Sequence, residues 1–147
     1  MPDQLVQSDT VTAACEVLVV DDSPHDVRLM RDGFVQWQRS PRITVASNGA
    51  EALQILRGDS EHARPELILL DWNLPGLKGE EVLERLKADQ ELRSIPVVVF
   101  TSSSAPSDRR RAADLGANRF ITKPFDVDDY FKVIAGLESF AHGHYSP

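Results

Sequence analysis

The sequence predicts an α/β fold of the doubly wound kind, a five-stranded parallel sheet with helices on both faces. Three observations carry the prediction. Apolar runs of strand length alternate with segments of helical periodicity along most of the chain. The central runs are apolar at every position, as strands covered on both faces must be. The runs at 17–20, 67–70 and 95–100 each stop at a carboxylate or a hydroxyl, respectively Asp21, Asp71 and Thr101. A chain of 147 residues has room for one domain with a core of its own and too little for two ordinary ones.

The elements follow in order. Val17, Leu18, Val19 and Val20 form the first strand, which breaks at Asp21, Asp22, Ser23 and Pro24. A helix over 25–36 comes next. Val27, Met30, Phe34 and Trp37 recur at three- and four-residue spacing, and Pro24 suits a first helical turn. A short strand over 42–46 is closed by Asn48 and Gly49, and 50–57 reads as the second helix, with Ala52, Leu53, Ile55 and Leu56 apolar. Leu67 to Leu70 is a strand apolar on both faces, and a loop with Pro75, Gly76 and Gly79 leads to a helix over 81–88. The third fully apolar strand, 95–100, ends at Thr101, Ser102, Ser103 and Ser104. A polar helix over 107–115, a strand over 119–122, the pair Lys123-Pro124 and a long helix over 127–140 complete the pattern. Residues 1–15 and 141–147 fall outside it and are expected to be tails.

Composition narrows the function. Apolar residues make up 41% and charged residues 27%, ordinary globular usage, and no stretch approaches the roughly 18 uncharged apolar residues a membrane span needs. Met1 to Thr10 lacks a basic region leading into an apolar block, so no secretory signal is expected. The single cysteine, Cys15, excludes an internal disulfide framework and suits a reducing cytoplasm. A formal net charge of −7 argues against a nucleic-acid partner. Arg109, Arg110 and Arg111 form the one basic run, which reads as a solvated helix face, the alternative being a contact surface for an acidic partner.

In open parallel sheets ligands bind beyond the carboxyl ends of the strands. The residues at those ends are Asp21 and Asp22, Asp71, Thr101 and Lys123. Two like charges about 4 Å apart repel by about 4 kcal/mol at an effective dielectric near 20, so three clustered carboxylates call for a cation or raised pKa values, and a divalent metal is the natural answer. Oxygen donors without His or Cys favour Mg²⁺, or Mn²⁺ as the alternative. With the cation and Lys123 neutralising charge, Asp71 becomes a nucleophile for a phosphoryl group, and Thr101 can hydrogen-bond a phosphoryl oxygen. Taken singly, each residue has a plainer reading: a helix cap for Asp21 and Asp22, a turn hydroxyl for Thr101, a solvent lysine for Lys123. The argument rests on their conjunction.

With these residues in place, the chain resembles the receiver domain of bacterial two-component response regulators over about 16–140. The likeness is carried by Val17-Leu18-Val19-Val20-Asp21-Asp22, Leu69-Leu70-Asp71-Trp72-Asn73-Leu74-Pro75-Gly76, Val98-Val99-Phe100-Thr101-Ser102 and Phe120-Ile121-Thr122-Lys123-Pro124-Phe125. The steps of 30 residues from Asp71 to Thr101 and 22 onward to Lys123 add to it. The resemblance implies the flavodoxin-like receiver fold with strand order 2-1-3-4-5. It implies Asp71 as phosphoacceptor, Asp22 and Asp71 as direct metal ligands, Asp21 acting through water, and Asn73 offering its backbone carbonyl. Lys123 would pair with the phosphoryl group, Thr101 and Phe120 would be the switch pair, and the bond before Pro124 would be cis. Asn73 and Ser103 sit where family members tune the phosphate's lifetime, and Lys78 stands where many relatives carry an acid.

The stretches 22–29, 91–99 and 136–140 resemble, more narrowly, single-domain regulators paired with bacteriophytochrome histidine kinases. Such relatives often dimerise through the fourth and fifth helices. Val133 and Phe140 lie off the core stripe of the last helix, Val127, Tyr130, Phe131, Ile134 and Leu137, and either leave apolar surface there for a partner or pack against the tail. The expectation is therefore a cytoplasmic receiver domain at 16–140 with tails 1–15 and 141–147 and no output module. Its partners would be a sensor histidine kinase and a downstream protein or phosphotransfer protein, with no nucleic acid and no membrane. Beyond Mg²⁺-dependent self-phosphorylation and autodephosphorylation it would not be an enzyme. A phosphatase of the haloacid-dehalogenase type would want an Asp where Asn73 stands, and a phosphorylation-independent scaffold would be expected to lack part of the site. His142 and His144 carry no assigned role.

Overall fold

The computed structural model describes residues 15–58 and 64–141. Five strands, β1 Cys15–Val20, β2 Pro41–Ala46, β3 Leu67–Leu70, β4 Val97–Thr101 and β5 Arg119–Thr122, form one sheet. All neighbours are parallel, in the order β2-β1-β3-β4-β5. The helices are α1 Pro24–Phe34, α2 Gly49–Gly58, α3 Gly79–Ala88, α4 Pro106–Asp114, α5 Val127–Gly136 and α6 Glu138–Ala141. Alternate strand residues point to opposite faces, so the fully apolar strands serve two cores. Leu18, Val20, Ile68, Leu70, Val97 and Val99 pack against Ala52, Leu53, Val82, Leu83, Leu86 and Ala112. Val17, Val19, Leu67, Leu69, Val98 and Phe100 pack against Met30, Phe34, Tyr130 and Ile134.

The helix starts are set locally. Ser23 caps α1, its hydroxyl accepting from the Asp26 amide at 3.2 Å, with Pro24 in the first turn. Asp126 caps α5 by accepting from the amides of Asp128 and Asp129. Gly79 opens α3 directly against the backbone of the Asp71 loop: a Cβ there would lie 2.7 Å from Trp72 Cα and collide with the Asp71 carbonyl oxygen. Only glycine lets the helix begin so close to that loop.

Four expectations are corrected. The helix expected over 127–140 is two helices, because a carbonyl it would need is already engaged. Continuation would bring the Glu138 amide to the Ile134 carbonyl, but that oxygen accepts from the Trp37 indole at 2.9 Å and the Leu137 amide at 3.1 Å. The Glu138 carboxylate instead receives the amides of Gln38 and Arg39. The break folds Phe140 inward, where it is buried, so it does not leave the apolar surface expected of it, and Val133, half-buried against the same core, leaves only part of it. The tail boundaries also move: Cys15 is buried and pairs with Pro41 at the start of β1, and Ala141 is buried in α6. Residues 1–14 and 142–147, with His142 and His144, lie outside the described residues. Finally, the described backbone holds no cis peptide, so Lys123–Pro124 is trans. The Lys123 amide donates to the Thr101 carbonyl at 2.7 Å, and from this trans backbone the side chain reaches its carboxylates, with trans favoured by about 0.5–1 kcal/mol at an X–Pro bond.

Candidate functional site

Parallel strands that leave the sheet in one direction deliver their terminal residues to one end. β1 delivers Asp21 and Asp22, β3 delivers Asp71, β4 ends on Thr101, and β5 leads into Lys123. Asp21, Asp71 and Thr101 are the only polar or charged residues among the buried side chains of the described chain. Two tight turns fix the carboxylates: Asp21 Oδ1 accepts from the Ser23 amide at 2.9 Å and Asp71 Oδ1 from the Asn73 amide at 3.2 Å.

Lys123 is the electrostatic centre. Its Nζ lies 2.8 Å from Asp21 Oδ2, 3.1 Å from Asp26 Oδ2 and 3.7 Å from Asp71 Oδ2, and its side chain is only 8% exposed. Burial would push the Lys123 ammonium down, but the surrounding carboxylates hold it above the usual lysine value. Burial raises the Asp21 carboxyl above its ordinary value, and the Lys123 hydrogen bond only partly offsets this. For Asp26, burial is outweighed by hydrogen bonds from Lys123 and Tyr130, and the carboxyl is held below the usual carboxylate range.

Asp21, Asp22 and Asp71 each offer one oxygen, all within 4.8 Å of one another. Three hard oxygen donors at that spacing, with Asp22 exposed to solvent, fit a divalent cation that keeps part of its water shell. The fit is to the donor chemistry: no nitrogen or sulfur ligand belongs to the group.

The other named residues lie around this centre. Thr101 is fully buried, and its Oγ1 accepts from the Ser103 amide at 3.4 Å. Thr101 is opposite Thr122 and Val99 is opposite Phe120, so Thr101 and Phe120 stand on the same face of the sheet. The Phe120 ring is half-buried, edge-on to Trp72 with centroids 6.3 Å apart, and lies under the Arg109 guanidinium at 4.9 Å. Arg109 also donates to the Phe120 carbonyl at 3.1 Å. Ser103 donates to Asp108 at 2.6 Å, tying the loop after β4 to the first turn of α4.

Two residues escaped the reading of the sequence. Asp26, in the first turn of α1, reaches back to Lys123, and Tyr130 on α5 donates to Asp26 Oδ1 at 3.0 Å. Asp26 carries a weak signal, an acid three residues after the capping Ser23. Tyr130 carries none, because an aromatic ring at helical spacing on the last helix reads simply as core, and it is buried there.

The fold and this strand-end cluster define a signalling receiver, and the comparison with known proteins agrees. The response regulator receiver domain family matches residues 17–135, and the chain belongs to that family. Response regulator Rcp1 of Synechocystis sp. is 36% identical over 127 residues, 84% of this chain and 86% of that protein. The crystal structure of the phosphorylated cyanobacterial phytochrome response regulator RcpA superposes with a TM-score of 0.84 at 34% identity, covering 91% of this chain and 98% of that one. The Mn²⁺-bound form of Rcp1 superposes at 0.81 with 34% identity, over 90% and 99% of the two chains. The chain is thus similar along most of its length to regulators that consist largely of a receiver. Among the described residues no helix is long and apolar enough to cross a membrane.

Proposed function

We propose that Asp71 accepts a phosphoryl group from the phosphohistidine of a sensor histidine kinase, and that the acyl phosphate shifts the conformation of the face containing Thr101, Phe120, α4 and α5. An Asp71 oxygen attacks phosphorus, the phosphorus–nitrogen bond of the donor breaks, and the neutral imidazole leaves after taking up a proton. The observation that carries the reading is the convergence of Asp21, Asp22 and Asp71 within 4.8 Å of one another beside a buried ammonium. A magnesium or manganese ion held by Asp22, Asp71, the Asn73 carbonyl and, through water, Asp21 would neutralise charge on the transferring oxygens. Lys123 needs little movement to meet such an oxygen from 3.7 Å. Thr101, buried with its hydroxyl in a long contact to the Ser103 amide, would turn that hydroxyl toward the phosphoryl group, and Phe120, on the same face of the sheet, would follow; the burial and the shared face support this reading.

The kinase is proposed to be a bacteriophytochrome, on the likeness to Rcp1 and to the phytochrome response regulator RcpA. Phe125, fully exposed beside the site, offers an approaching kinase an apolar contact. Beyond Mg²⁺-dependent self-phosphorylation and autodephosphorylation the chain would have no enzymatic role, and it would act in the cytoplasm, passing the signal to a downstream protein or phosphotransfer partner. The homodimer through α4 and α5 would form without Phe140 as its apolar centre, because that ring is buried, while half-buried Val133 could contribute only part of its surface.

The test uses beryllium fluoride, a mimic of the acyl phosphate, with Mg²⁺. Trp72, buried next to Asp71, is the fluorescent reporter. Wild-type protein gives a saturable, Mg²⁺-dependent change that Asp71→Asn abolishes. A wild type that binds neither Mg²⁺ nor beryllium fluoride would leave the phosphorylation-independent scaffold as the working function.

A further inference from the structure

We propose that Asp26 is a positioning residue of the phosphorylation site, a rival anion that shares the Lys123 ammonium in the unphosphorylated protein, with Tyr130 on α5 holding it in place. The inference rests on the reading of Asp71 and Lys123 given above and adds the group that sets how freely Lys123 is released.

The geometry carries it. A lysine ammonium has three donors and no more. Two are committed at hydrogen-bond distance, to Asp21 at 2.8 Å and Asp26 at 3.1 Å, whereas Asp71 Oδ2 stands at 3.7 Å. A phosphoryl group on Asp71 therefore meets a cation already shared between two other carboxylates. Asp21 belongs to the oxygen cluster suited to the cation, but Asp26 does not. Its carboxylate faces Lys123 and Tyr130, so its interaction with Lys123 is the one that phosphorylation puts in competition.

Asp26 is also fixed more firmly than a surface acid in a first helical turn. The Tyr130 hydroxyl donates to its Oδ1 at 3.0 Å, and its own amide is held by the Ser23 cap at 3.2 Å. Tyr130 is buried, its ring edge-on to Phe100 at 5.1 Å. The chain of contacts runs from Lys123 through Asp26 to Tyr130, and so from the strand-end site into the first turn of α5. When Lys123 turns its third donor to a phosphoryl oxygen, Asp26 keeps its α5 partner while its hold on the cation weakens. The α1–α5 contact then feels the chemical step directly, through a path that does not use Thr101 or Phe120.

The plainer role for Asp26, favouring the start of α1, makes different predictions. The experiment titrates beryllium fluoride at saturating Mg²⁺, read by Trp72 fluorescence, in full-length wild type, Asp26→Asn, Asp26→Glu, Tyr130→Phe and the double variant Asp26→Asn with Tyr130→Phe. Asp26→Asn keeps the shape and removes the rival charge, and beryllium fluoride binds about threefold to tenfold more tightly, with the affinity for Mg²⁺ alone changed by no more than about twofold. Asp26→Glu, which restores the charge, returns affinity toward wild type. Tyr130→Phe tightens binding by a smaller factor and adds nothing in the Asp26→Asn background, because it acts through Asp26. Unchanged or weaker beryllium fluoride binding in folded Asp26→Asn and Tyr130→Phe, beside a normal wild-type response, overturns the role proposed for Asp26 alone. Loss of the wild-type response overturns the phosphorylation reading and that role with it.

Discussion

Lys123 is enclosed by Asp21, Asp26 and Asp71 and almost shut off from solvent, an arrangement that contributes little net stability while intact and costs much when broken. Lys123→Met leaves three neighbouring carboxylates without their cation, so it should destabilise the metal-free protein by about 3–5 kcal/mol at neutral pH in urea unfolding. The loss should shrink as pH falls toward the ordinary carboxylate range, because protonation removes the repulsion. In the wild type the folded-state value of Lys123 is raised, so its contribution is complete below 10.5 and disappears as pH rises through the higher folded value. The wild-type advantage over Lys123→Met should therefore narrow at both ends of the pH range, and an advantage flat with pH would contradict the assignment. Cys15 shows the opposite kind of burial. With burial as the largest cause and Glu66 nearby, its thiol is pushed up to about 11, so at pH 8 the native protein should react with a thiol reagent at least about tenfold more slowly than the urea-unfolded chain.

At the scale of elements, the joint between α5 and α6 is a competition for one carbonyl. Trp37→Phe keeps the ring packing with Phe34, whose centroid lies 5.0 Å from that of Trp37, but removes the indole donor to Ile134. The expected cost is about 1–2 kcal/mol in urea unfolding, with the Ile134 carbonyl freed for the Glu138 amide and α5 able to run on. A variant as stable as wild type would mean the indole bond does not set the break. This joint also marks what the sequence left hidden. Strand ends, helix periodicity and turn residues are local, so the five strands and the placement of Asp21, Asp71, Thr101 and Lys123 at strand ends were legible from residue order and a rule about parallel sheets. The bond from Trp37 to Ile134 spans 97 residues and that from Tyr130 to Asp26 spans 104. Nothing local in either partner announces such a bond, and for that reason the helix break, the inward turn of Phe140 and the contact of Tyr130 with Asp26 emerged only from the folded chain.

For the whole molecule, the site is a charge problem that the fold creates and that a divalent cation would resolve. The chain carries a net charge of −7, and its topology brings Asp21, Asp22 and Asp71 to one end of the sheet, with one lysine among them. Folding without a divalent ion gathers like charges that the unfolded chain keeps apart, whereas a bound ion favours only the folded state. Saturation at about 100 times the dissociation constant adds about 2.7 kcal/mol, and at roughly 2–4 °C per kcal/mol for a chain near this size the midpoint of thermal unfolding should rise by about 5–10 °C. Asp22 separates the two contributions because it is the exposed member of the cluster. Asp22→Ala removes one partner of two repulsions, each about 1 kcal/mol at 4 Å in a water-like dielectric, so the metal-free variant should be at least as stable as wild type. It should also lose most of the Mg²⁺-dependent rise. Thermal unfolding with and without Mg²⁺, for both proteins, reads the two effects together. A variant that is weaker without metal and still gains the full rise would place the ion elsewhere and remove Asp22 from the site.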